Sequence, residues 1–104
     1  MTFNEFKLSV DQNSPPGNIN ELLIALWYDA KGGLSKARAS WEKAHKIVQN
    51  INGKDAARVH AYLHRKEGDY GNASYWYSRA GKQFSNKTLD EEWEEIVKEL
   101  LNKG

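Results

Sequence analysis

The chain has 104 residues, 39% hydrophobic and 28% charged, with no cysteine and a formal net charge of +1. That length and composition suffice for one domain with a modest apolar core, and the missing cysteines exclude disulfide staples and thiolate metal sites. No apolar run approaches the roughly 18–20 residues of a membrane span, and MTFNEFKLSV lacks the basic and apolar regions of a secretory signal, so a cytoplasmic protein without a membrane partner is expected.

In chain order, residues 1–18 are expected as a non-helical N-terminal arm. Phe3, Phe6, Leu8 and Val10 fit neither a helix nor a strand period, and DQNSPPGN is a strong breaker, because its two prolines remove donors and Gly17 permits a turn. Residues 19–104 are then expected as one helical-repeat domain. Asn18 or Asn20 caps a first helix that runs to about Lys31 and stops at Gly32-Gly33. Ser35 caps a second, in which Ala37, Trp41, Ala44, Val48 and Ile51 recur every three or four residues until Asn52-Gly53 ends it. Asp55 opens a third that stops at Gly68, and a fourth begins near Asn72 with Ala73, Trp76, Tyr77 and Ala80 on one side. Thr88 and Glu91 form a capping box for a fifth helix over 88–103, where Leu89, Trp93, Ile96, Val97, Leu100 and Leu101 make an amphipathic stripe. Its glutamates, Glu91, Glu92, Glu94, Glu95 and Glu99, read as solvated.

A block of 23 residues recurs after 36 positions: LLIALWYDAKGGLSKARASWEKA from Leu22 aligns with RVHAYLHRKEGDYGNASYWYSRA from Arg58. Small residues repeat at Ala25/Ala61, Gly32/Gly68, Ala37/Ala73 and Ala44/Ala80, and large ones at Leu23/Val59, Leu34/Tyr70 and Trp41/Tyr77. Small residues at fixed offsets mark close helix contacts and reversing turns. The pattern therefore predicts an all-α fold of two stacked helix-turn-helix hairpins, over 19–52 and 54–84, with 88–103 as a capping helix.

The charge is unevenly spread. Residues 1–87 carry a net +5 and residues 88–104 a net −4, which favours internal or inter-subunit pairing and argues against a nucleic-acid partner. Leu22 to Tyr28 is apolar all the way round and must be covered on every side, either by the N-terminal arm or by a homodimer formed through residues 19–28.

The small and large positions resemble the tetratricopeptide repeat family: Ala25, Tyr28, Gly32, Ala37, Trp41 and Ala44 in one copy, Ala61, His64, Gly68, Ala73, Tyr77 and Ala80 in the other. The early Trp of that motif is Glu21 or Ala57 here, the closing Pro is absent, and the period is 36 where the family has about 34. A more specific likeness covers Val59 to Gly81, with Trp41 to Gln49 before it: VHAYLHRKEGD, then NA, YWY and RAG, resembles a group of small, uncharacterised bacterial proteins. The repeat resemblance implies a peptide-binding groove lined by the first helix of each hairpin. Its second-copy positions are Asp55, Arg58, Tyr62, Arg65 and Lys66, whose cations suit an acidic protein or peptide, and Tyr75 is the outward member of Tyr75-Trp76-Tyr77. The first-copy positions, Ile19, Leu22, Leu26, Asp29 and Ala30, are mostly apolar.

His60 and His64 lie four residues apart and share a helix face, and His45 belongs to the preceding helix. Two readings follow: polar core residues whose ring N–H groups are hydrogen-bonded, or a three-imidazole metal site suited to zinc. His60-Ala61-Tyr62-Leu63-His64 lacks the glutamate of zinc-protease helices, Lys31-Gly32-Gly33-Leu34-Ser35 is not a phosphate loop, and no catalytic triad is suggested. The leading expectation is a protein-interaction module that is no enzyme and needs no cofactor; the alternatives are a metal-binding protein or enzyme using the histidines, and a structural homodimer.

Overall fold

The computed structural model describes residues 1–32 and 38–103, and among these the regular structure is entirely helical. The six helices are α1 (Phe3–Ser9), α2 (Glu21–Lys31), α3 (Arg38–Gln49), α4 (Lys54–Glu67), α5 (Tyr70–Ala80) and α6 (Leu89–Lys103). α2 packs most closely on α3, α4 packs most closely on α5, and α6 lies against α1, α2 and α4. Gly33, Leu34, Ser35 and Ala37, with the expected Ser35 cap and the Leu34/Tyr70 and Ala37/Ala73 matches, lie outside the described residues.

Most helix boundaries follow their local signals. Asn20 caps α2 by accepting from the Leu22 amide at 2.7 Å. α4 and α5 end on Gly68 (φ 87°) and Gly81 (φ 71°), both in the left-handed region where a side chain would be strained. Thr88 and Glu91 form the reciprocal capping box of α6, at 3.0 and 3.1 Å. α5 starts at Tyr70, slightly before the expected start near Asn72, because Asp69 caps it: the Asp69 carboxylate accepts from the Asn72 amide at 3.2 Å.

The N-terminal segment corrects the expected non-helical arm. Thr2 and Glu5 exchange side-chain and backbone hydrogen bonds at 2.8 and 3.1 Å, a second capping box that starts a helix where the apolar spacing shows none. α1 buries Phe6 completely, and Phe3 and Phe6 lie against Trp93 of α6, with centroids 5.8 Å away in each case. The apolar α2 is covered within the chain. Leu22, Leu23, Leu26 and Trp27 belong to one core with Phe6, Trp41, Val59, Leu63, Trp93 and Ile96, while Ile19, Ile24 and Tyr28 of the segment expected to form a homodimer stay partly exposed.

The recurring small residues sit at close contacts: Ala25, Ala44, Ala61 and Ala73 are fully buried. Three indoles link the elements, each N–H reaching a main-chain carbonyl. Trp27 donates to Ser9 at 3.0 Å, Trp41 to Leu63 at 2.7 Å, and Trp93 to Leu26 at 3.1 Å.

Charge holds α6 to the rest. Arg58 of α4 forks between Glu95 and Glu99, and Arg65 pairs with Glu92 at 2.8 Å while also donating to the Lys87 carbonyl. Glu92 is 1% exposed, contrary to its reading as a solvated residue, and accepts the Tyr77 hydroxyl at 2.6 Å from α5 as well. Its second contact raises the Tyr77 phenol well above its ordinary value, with burial the larger cause.

Replacing Glu92 with Ala strips Arg65 and Tyr77 of a buried acceptor and should cost roughly 3–5 kcal/mol. The same change at the half-exposed Glu99 should cost less than about 1 kcal/mol. Urea denaturation of the two variants checks the ordering.

Candidate metal centre

α3 and α4 cross where their surfaces carry imidazoles. Trp41 and His45 stand one turn apart on α3, and His60 and His64 one turn apart on α4, so each pair projects from one helix face. The rings meet: the His45 and His60 centroids are 4.8 Å apart, His45 and His64 5.2 Å, and His60 and His64 4.9 Å. One ring nitrogen from each histidine lies within 4.8 Å of those of the other two.

Aromatic walls hold the cluster. Trp41 stacks on His45 with centroids 4.9 Å apart, and Trp76 of α5 stacks on His60 at 4.0 Å with planes 13° apart. His60 is 7% exposed, His64 8%, and His45 is half-buried. Nε2 of His45 and Nε2 of His60 are 3.0 Å apart, a hydrogen bond that needs one nitrogen protonated and the other bare. Nδ1 of His64 meets the Glu67 carboxylate at 2.7 Å, which leaves Nε2 as its remaining nitrogen. A carboxylate behind an imidazole fixes its tautomer and raises its basicity, the usual support of a metal-ligating histidine.

Burial pulls the His60 imidazole down to about 4, assisted by the charges of His45 and His64. His45 is lowered for the same first reason, then by His64, with Glu67 opposing. Neutral imidazoles are what a metal ion requires as ligands.

The groove residues have a different fate. Arg58 and Tyr62 are buried, and Arg58 and Arg65 are taken by the carboxylates of α6. Lys66 reaches across to Asp29 of α2 at 3.0 Å, and Asp29 is fully buried. Burial raises the Asp29 carboxyl, and Lys66 pulls it back. Tyr62 and Lys66 line a cavity of about 710 Å³ whose walls include Phe3, Leu8 and Trp93. On the face expected to be open to a peptide, α6 therefore takes up Arg58 and Arg65, because the acidic helix finds its counter-charges there, while Tyr62 and Lys66 stay on the cavity wall. Asp55 binds Lys103 at 2.8 and 2.9 Å, and Tyr75 is exposed as expected, 52%, with Arg79 donating to its hydroxyl at 3.2 Å.

Glu67, Trp41 and Trp76 are the parts of the histidine centre that the sequence reading did not include in it. Glu67 was legible in principle, since it follows His64 by three residues on one helix. Trp76 comes from another helix and carried no such signal. No protein-family model matches the chain, and neither does any curated protein or solved structure.

His60 should make the metal-free fold acid-sensitive. Its imidazole is depressed from 6.5 to about 4 in the folded state, so the native protein binds fewer protons than the unfolded chain between those values. The associated stability is present above about pH 6.5 and is lost as the pH falls to about 4. Melting temperatures across that range should fall less steeply for His60→Gln than for the unsubstituted protein.

Proposed function

We propose that this protein binds a zinc ion through His45, His60 and His64. The observation that carries the reading is the convergence of three ring nitrogens within 4.8 Å, on two helices locked together by a common core. Two imidazole nitrogens about 2.05 Å from a tetrahedral zinc ion are about 3.35 Å apart. The His45 and His60 nitrogens, at 3.0 Å, lie near that spacing, and a bound ion would take the place of the proton they share while drawing in the His64 nitrogen from within 4.8 Å. Lowered imidazoles and the Glu67 contact to His64 support the same reading. Three protein ligands leave a fourth position for water or an exogenous ligand.

We also read α2–α3 and α4–α5 as tetratricopeptide-like hairpins closed by α6. Supporting this are the close packing within each pair and the buried alanines at the repeated positions. On that reading the repeats serve as a scaffold that sets α3 against α4. A protein-interaction role through the second-hairpin groove would need α6 to leave, and Tyr75 is the expected contact that stands exposed without such a change.

Equimolar zinc should raise the melting temperature; at one hundred times the dissociation constant the linkage amounts to about 2.7 kcal/mol. The histidine side-chain NMR signals should shift together, and His64→Ala should abolish both effects. If zinc moves neither the melting curve nor those signals, the centre is a hydrogen-bonded aromatic core and the proposal fails.

A further inference from the structure

On the far side of His60, the α3–α4 junction and α5 enclose a cavity of about 350 Å³. Lys54, Arg79, Trp76, Ile51 and Gly53 share its lining with His60, and no carboxylate contributes to it. The lining therefore carries two cations and no counter-charge. Arg58, Arg65, Lys66, Lys87, Lys98 and Lys103 each have a carboxylate partner, whereas Lys54 and Arg79 have none among the described residues. Asp55, adjacent in sequence to Lys54, is turned to Lys103. The Arg79 guanidinium lies 5.7 Å from the Trp76 ring and 5.9 Å from the Tyr75 ring, so aromatic faces hold it while its positive charge stays uncompensated.

We propose that this cavity binds a small aromatic carboxylate, its anionic end held by Lys54 and Arg79 and its ring against Trp76 and Ile51. Guanidinium and ammonium groups donate charge-assisted hydrogen bonds to a carboxylate, and a guanidinium can meet both oxygens at once. The volume lies at the small end of the roughly 300–1,000 Å³ usual for ligand sites, which suits a one-ring or two-ring acid and not a nucleotide or a peptide. The site goes beyond the zinc reading and does not depend on it, since Lys54, Arg79 and Ile51 take no part in the histidine cluster.

The test uses full-length protein freed of metal by chelation, titrated with phenylacetate and followed by backbone amide NMR and the indole N–H signals. Phenylacetate should shift the Gly53 and Lys54 amides and the Trp76 indole, and phenylacetamide, its neutral isostere, should bind at least about tenfold more weakly. Arg79→Gln and Lys54→Gln, both exposed substitutions, should each weaken binding several-fold, and the double variant should lose it at an unchanged melting temperature. Equal binding of acid and amide, binding that survives in the double variant, or no shift with phenylacetate overturns the proposal. Binding of phenyl phosphate with none of phenylacetate overturns the carboxylate assignment. Because zinc is absent throughout, these outcomes are separate from those of the zinc titration.

Discussion

Everything in this fold depends on the docking of α6, and the contact that governs it is Glu92. Its carboxylate is 1% exposed and is shared by Arg65 of α4 and the Tyr77 hydroxyl of α5. A buried ion pair is a weak source of net stability, because desolvating two charges costs about as much as their attraction returns. What it supplies is position. An acid with two fixed donors has few other places to sit, so the apolar stripe of α6 is held against α2 and α4 in a single register, with Arg58 bridging Glu95 and Glu99 alongside.

That docking decides what the rest of the surface can do. With α6 seated, Arg58, Arg65 and Lys66 are spent on internal partners, and α4 is buried without a break from Ala56 to His64. A helix enclosed on all sides brings its polar residues into the interior whether or not they have a purpose there. His60 and His64 are the residues for which this matters. His60 is hydrogen-bonded to His45 and His64 to Glu67, and Trp41 and Trp76 stack on His45 and His60, so the three imidazoles are held together as one cluster.

α5 has two functions in this arrangement. Its inward residues, Ala73 and Tyr77, pack on Ala61 and form a small core of their own. Trp76, one residue away from Tyr77, is half-buried and faces two environments, stacking on His60 and lining the cavity that carries Lys54 and Arg79. The same indole therefore borders both the histidine cluster and the cationic cavity.

The sequence by itself determined the helices after residue 19, the stop at Gly68 and the cap at Thr88, a first cap at Asn18 or Asn20 that the structure resolves to Asn20, the alanines buried at 25, 44, 61, 73 and 80, and the unequal charge of the two parts of the chain. Each of these is a local or periodic property. α1 was missed because its start rests on the Thr2–Glu5 capping box, and its apolar residues are too few to show a period. The pairing of the basic α4 with the acidic α6 was expected in sign but not in consequence: charge totals cannot say that Glu92 is buried or that the groove positions are the ones consumed. Two of the three histidines were readable as one face of a helix. Only the tertiary structure decided that His45 joins them, that Trp41 and Trp76 wall them in, and that Lys54 and Arg79 share a cavity. These depend on how separate helices cross, and a crossing is set by summed packing over the whole core, which no short stretch of sequence encodes.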